Sequence, residues 1–283
     1  MKNKKKRVRE IADYIKFVFP MLVLYILFFI LPLFQTIGYS FTDYNGINPR
    51  KEFTGLTNYV DVFQDKWFYN SMLFTGKSVI LMILLANVLG FLLALALNTK
   101  IKSRNILRAI VFCPFVFNNV TVGFIWQFLL GRFMTDLYPL TGWKVFNIGW
   151  LSDSSLVLYS VVFVKLWQSI GYFMVIYLAG LQLLPQDPLE AAVLDGCTGI
   201  KMIRYMTIPL MKPTAFVCIF LAITESLNMF PLIMSLTNGG PGHASENISL
   251  YIYNEAFKSH RMGYASALAV ILTIIMTIIA RLQ

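Results

Sequence analysis

The sequence predicts an all-α membrane protein with six transmembrane helices and one loop that folds into short helices of its own. Three observations lead there. Of 283 residues, 57% are hydrophobic and 13% charged, against roughly 45–50% and about 25% in a soluble domain. The mean hydropathy is +0.65. The apolar residues are gathered into six long stretches, each enough for the about 20 residues that cross a bilayer as a helix. A soluble enzyme, a disordered chain and a secreted disulfide scaffold are excluded on these grounds. Cys113, Cys197 and Cys218 lie far apart, and only two histidines are present, so no zinc or disulfide framework is read.

The elements follow in order. Residues 1–16 carry a basic run, Lys2, Lys4, Lys5, Lys6, Arg7 and Arg9. Within 8–17, apolar side chains at helical spacing sit beside charges, as in a segment lying along a membrane surface. Residues 17–42 are free of charge and too long for a signal-peptide core, so they read as a retained first span. Residues 78–99 and 109–131 are also uncharged and give the second and third spans. The fourth, 156–184, contains only Lys165. The fifth, 209–236, has Lys212 near its start and Glu225 within, and the sixth covers 262–280.

With six spans both termini share a face. That face collects 15 of the 24 Lys and Arg residues and the opposite face 7. The positive-inside rule then puts both termini in the cytoplasm. The net charge of +10 is accounted for by topology and anionic lipid headgroups, and no nucleic-acid partner is needed.

The cytoplasmic stretch 184–213 is more than a connector. Asp187 is placed to cap a helix, Pro188 to occupy its first position and Glu190 its third, a capping-box-like start. Gly196 is placed to end that helix in a left-handed conformation. A second piece, about 198–206, is expected to stop before Pro209. Two short helices over 187–206 therefore lie outside the bilayer.

The residue pattern there, EAAVLDG at 190–196, Tyr205 and IPLMKP at 208–213, resembles the EAA loop of binding-protein-dependent ABC importer permeases. The preceding AGLQLLPQDPLE at 179–190 is similar to the carbohydrate branch of that family. So is the series TNGGP at 237–241, LYIY at 250–253, AF at 256–257 and GYASA at 263–267, which resembles subunits akin to the first membrane component of the maltose permease. Cys197, Ile200 and Ile203 depart from the pattern, at positions where alanine or bulky aromatics are usual.

The resemblance implies a single transmembrane domain over 1–283. It implies that Asp187, Glu190, Ala191, Ala192, Asp195 and Gly196 dock an ATPase subunit. It also implies a second related permease, two cytoplasmic ATPase subunits holding ATP and Mg, and an extracytoplasmic sugar-binding protein. This chain would be a non-catalytic subunit in a prokaryotic cytoplasmic membrane, without cofactor or metal. Gly76-Lys77-Ser78 looks like the end of a P-loop, but Ser71 stands where that pattern needs glycine.

Ionisable residues within spans cost roughly 2.5–3.5 kcal/mol at the centre and so mark function or pairing. Glu225 lies sixteen residues past Pro209, about 24 Å along a straight helix, at a depth comparable with Lys165. One reading is that these two pair within the bundle. The other is that Glu225, Asn228, Gln168, Trp167 and Tyr172, with Asn118 and Asn119 of the third span, line a sugar path. Aromatic faces and amides suit sugar rings and hydroxyls. Two alternatives to sugar import stay open: a permease for a non-sugar solute, and a membrane enzyme acting on lipid-linked sugars.

Overall fold

A computed structural model describes residues 16–99 and 102–282. The basic run at 2–9 and Lys100 lie outside the described residues, as does nearly all of the interfacial segment expected over 8–17. In chain order the helices are α1 (Lys16–Tyr39), α2 (Thr57–Gln64), α3 (Lys66–Leu97), α4 (Arg104–Val116), α5 (Asn119–Thr141) and α6 (Val157–Gln182). They continue as α7 (Gln186–Leu194), α8 (Ile200–Leu210), α9 (Lys212–Leu227), α10 (Phe230–Leu236), α11 (248–258) and α12 (Met262–Leu282). Among the described residues the one extended pairing is an isolated antiparallel bridge between Thr42 and Phe53.

Four helices, α1, α3, α6 and α12, are each long and apolar enough to cross a membrane. The third and fifth spans expected from the sequence differ: neither is a straight helix. α4 and α5 meet at a 93° bend, and α8 and α9 at a 70° bend. The first break falls at Phe117, whose backbone is extended (φ −74°, ψ 142°). Asn118 follows as helix cap, its side chain accepting a hydrogen bond from the Val120 N–H at 2.9 Å, which satisfies one of the free donors of the new helix. The second break falls at Met211 (φ −82°, ψ 0°).

Pro209 does not stop α8, which runs on to Leu210. A π-turn at Ile203–Thr207 immediately precedes it, with the Ile208 N–H reaching back to the Ile203 carbonyl. That wider ring moves aside the carbonyl a proline would crowd. The same device, a π-turn at Ile26–Ile30, precedes Pro32 in α1. The second span is also longer than expected, beginning at Lys66 rather than residue 78. Its buried stripe (Phe68, Ser71, Phe74, Thr75, Ser78, Met82, Ala86, Gly90 and Ala94) keeps helical spacing throughout, while Lys66 and Lys77 face out.

The described residues form two compact units, 16–65 with 252–282, and 66–251. In the first, α12 packs against α1 and α2. Gly263 is required there: a Cβ would sit 2.0 Å from the Thr42 carbonyl oxygen. Asn58 ties the turn after α1 by donating to the Ser40 and Thr42 carbonyls at 2.9 and 2.8 Å.

In the second unit α6 is central, with two-thirds of its apolar window buried. It lies along α3, where small residues permit close approach, as is usual for helices in lipid. A Cβ on Gly90 would come within 2.8 Å of the Phe173 Cβ. Gly171 of α6 gives the same access to α4, since a Cβ there would lie 2.2 Å from the Val111 carbonyl oxygen. The unit ends in the first turn of α11, capped by buried Asn247, which accepts from the Leu250 N–H at 2.9 Å.

Candidate functional site

Two groups of residues carry the functional expectations, and both can be built from the chain upward. The first is the 183–211 segment. α7 begins at Gln186, with Pro185 as its extended cap residue and no side-chain cap. Asp187 is therefore not the N-cap, which corrects the capping-box expectation. The helix starts earlier because Pro185 already holds the extended conformation a cap position needs. Asp187 instead sits in the first turn, where its charge favours the positive end of the helix dipole.

The C-terminal expectation holds. Gly196 is left-handed (φ +79°), its N–H reaches the Val193 carbonyl at 3.0 Å, and the Cys197 N–H reaches that of Ala192 at 2.8 Å. This pair of bonds is a Schellman closure. Of the six residues assigned to docking, Ala192 is buried against the molecule, while Asp187, Glu190, Ala191, Asp195 and Gly196 are exposed. Around them Leu194 is 88% exposed and Ile200 82%. Apolar side chains held this far into solvent, at the end of the firmly closed α7 and at the start of α8, form an uncovered contact surface.

The second group lies where the broken helices meet α6. Lys165, 2% exposed, places its ammonium 2.6 Å from a Glu225 carboxylate oxygen. The side-chain amide oxygen of Asn119, two residues past the first break, is 3.5 Å from the same ammonium. Three residues on, the Gln168 side chain donates to the Phe117 main-chain carbonyl at 2.9 Å. That carbonyl belongs to the extended residue at the break and has no helical partner to receive. Tyr172, one further turn along α6, stacks on Phe115 of α4 with centroids 4.5 Å apart and planes 2° from parallel. Trp167 meets Trp126 of α5 edge-on at 5.4 Å.

One face of α6 thus holds α4 and α5 at their break, and its ion pair holds α9. Glu225 and Lys165 do pair, so the first of the two readings of these charges describes what the side chains touch. Glu225 nevertheless keeps 26% of its side chain accessible, and Asn118 and Trp167 are exposed. Asn228 is not drawn into the cluster. It ends α9 as the C-cap residue and is exposed. The break at Met211 also shortens the helical path to Glu225, because only α9 runs straight toward it. Thirteen residues rather than sixteen then separate the start of the helix from Glu225, about 20 Å.

Sequence reasoning missed three contributors. Phe115 and Trp126 are apolar residues in an apolar stretch, and nothing in their spacing sets them apart. The half-buried amide of Asn87, which accepts from the Tyr177 hydroxyl at 2.6 Å, was available as a polar residue in a span. Among the described residues no group of His, Cys, Asp and Glu is arranged to hold a metal.

The profile of the family described as a binding-protein-dependent transport system inner membrane component matches residues 86–283. The probable starch degradation products transport system permease protein AmyD of Thermoanaerobacterium thermosulfurigenes is 35% identical, covering 100% of this chain and 96% of that protein. The trehalose/maltose transport system permease protein MalF of Thermococcus litoralis is 31% identical over 90% of this chain and 86% of its own. Among solved structures, a bacterial alginate ABC transporter in complex with an alginate pentasaccharide-bound periplasmic protein superposes with a TM-score of 0.81 at 21% identity, covering 97% of this chain and 93% of the other.

Proposed function

The chain belongs to the family of binding-protein-dependent transport system inner membrane components, and from that premise we propose that it is one permease subunit of an ATP-driven sugar importer. The observation that carries the coupling role is α7, closed at Gly196 and surrounded by uncovered Leu194 and Ile200. It offers an ATPase subunit an acidic first turn, a small-residue face at Ala191 and an apolar rim. ATP and Mg belong to two such subunits, and this chain performs no chemistry on the sugar.

Both termini lie in the cytoplasm, and each bent pair serves as one span, making six. A second, related permease completes the central cavity, and a sugar-binding protein delivers the solute from outside. The solute path runs past Asn118, Asn119, Trp167, Glu225 and Asn228, with Gln168 and Tyr172 behind them. Closure of the ATPases, transmitted through α7, switches access from outside to inside by moving helices already broken at 117 and 211. The relatives named for starch degradation products and for trehalose and maltose support a carbohydrate as the solute.

The test is co-purification with Glu190→Lys as the probe. The unaltered chain is expected to bring down a second permease and an ATPase. The variant is expected to insert normally and lose the ATPase and transport together. A variant that transports normally overturns the docking role. For the path, Glu225→Gln and Asn228→Ala are expected to lower uptake and sugar-stimulated ATP hydrolysis; both measures intact would remove these residues from it.

A further inference from the structure

We infer a second saccharide subsite in the 66–251 unit, a recess that takes the uncharged end of an oligosaccharide before it reaches the central path. The recess holds about 370 Å³, within the size range of small-molecule sites. It is bounded by Gln127, Gly131 and Thr135 of α5, by Gly149, Trp150 and Ser152 of the following connection, and by the end of α10.

Its construction is local. The π-turn Phe128–Phe133 widens α5 at this level, and such turns gather at functional positions. A Cβ on Gly131 would meet nothing within 4 Å, so glycine there leaves the floor open rather than admitting a neighbour. Trp150 is fixed by its indole N–H, which donates to the Val145 carbonyl at 3.2 Å, and by its own carbonyl, which accepts from the Ser160 hydroxyl at 2.7 Å. Its ring therefore stands as a preset, half-buried face.

The polar groups around that face are available. Among the described residues the Gln127 amide and the Ser152 hydroxyl have no hydrogen-bond partner, and the Thr135 hydroxyl, donating to the Gly131 carbonyl at 2.8 Å, still accepts. An indole face beside a free amide and free hydroxyls suits the apolar face and the hydroxyl edge of a sugar ring. Among the described residues no ionisable side chain lines the recess. Asp153, next along the chain, is turned away onto Ser155, whose hydroxyl and N–H donate to it at 2.7 and 2.8 Å. The lining thus selects a neutral saccharide over a uronic-acid polymer. It also differs in character from the Lys165–Glu225 region, which is built on charge.

The inference rests on the sugar-import reading and its orientation, which puts the 142–156 connection outside. The test uses the complete complex in proteoliposomes with Ser152→Cys. Its rate of modification by a membrane-impermeant maleimide is followed by mass spectrometry of the peptide that contains residue 152. Thr135→Cys on the facing wall serves as a second reporter.

Saturating maltotetraose is expected to slow labelling by about fivefold or more, as occupancy by mass action requires. Alginate tetrasaccharide is expected to have no effect, and Gln127→Leu to abolish the protection. Unchanged labelling in a complex that imports maltotetraose overturns the subsite and leaves the importer reading intact. Protection by sugar-free binding protein alone overturns it in favour of a protein contact. Equal protection by the alginate fragment overturns its selectivity for neutral sugar. If the unaltered complex imports no oligosaccharide, the sugar reading falls and the subsite falls with it.

Discussion

The unbroken helices α3 and α6 and the broken pairs α4/α5 and α8/α9 are made of similarly apolar sequence, yet they do different work. α3 and α6 meet through small residues. Gly90 admits the backbone near Phe173, and the contact is continuous and largely apolar. The broken pairs are instead held on α6 by polar contacts placed at or beyond the breaks: Gln168 on the Phe117 carbonyl, and Lys165 on Glu225. In lipid, a freed backbone group or a lone charge must find a partner within the protein. The difference teaches that the unbroken pair forms the frame, and that polar side chains on α6 hold the broken segments against it.

Removing one half of the ion pair should break that arrangement most severely. Lys165→Met leaves Glu225 without a counter-charge; one-sided loss of a buried pair costs about 3–5 kcal/mol, an upper bound here because Glu225 is 26% exposed. Thermal unfolding in detergent is expected to show a large loss, and the double variant Lys165→Met with Glu225→Gln to regain most of it. A single variant as stable as the double would separate the pair from the hold on α9.

Glycine-to-alanine changes sharpen the comparison at the next level. Gly171→Ala meets the Val111 carbonyl at 2.2 Å and Gly90→Ala the Phe173 Cβ at 2.8 Å, each an overpacking worth about 1–3 kcal/mol. Both should lower thermal stability, and only Gly171→Ala, which presses on a broken pair, should reduce uptake beyond its effect on protein level. Gly196→Ala forces a left-handed conformation that costs about 1–2 kcal/mol, with no neighbour within 4 Å to clash. Its effect should appear as weaker ATPase capture with the inserted amount unchanged.

Gln168→Leu removes one hydrogen bond at the first break and should cost about 0.5–1.5 kcal/mol, read as a smaller shift in the same melting experiment. Arg132→Ala removes a 3.7 Å pair with Asp136 whose partners are 80% and 70% exposed. It should change stability by less than about 0.5 kcal/mol and provides the surface reference.

The same contrast governs what could be read from the sequence. The unbroken spans were legible because charge-free length is itself the signal, and the Lys165–Glu225 pair was legible because a charge in a span demands an explanation. The breaks were not. Pro114 and Pro209 are the obvious punctuation, yet each sits inside or at the end of a helical piece, and the chain turns two or three residues later at Met211 and Phe117. A π-turn before Pro209 lets the helix pass it, and no residue type announces a π-turn.

Asp187 looked like a cap because Pro188 suits a first helical position, but Pro185 offered an equally good start one residue before Gln186. The contact of Gln168 with Phe117 was hidden for another reason. Its acceptor is a main-chain carbonyl freed only once the backbone has turned, so the side chain's role depends on a break the sequence does not mark. Gly196 was legible because a glycine after EAAVLD has one common purpose.

The central claim is that the chain moves sugar only when ATPase closure reaches its broken helices through α7. The direct measurement is accumulation of labelled maltotetraose in proteoliposomes carrying this chain with its partner permease, ATPase subunits and binding protein. The account predicts accumulation that needs ATP and every subunit and is lost with Glu190→Lys in a fully inserted complex. Transport or ATP hydrolysis by this chain alone, or full transport with Glu190→Lys, would contradict it.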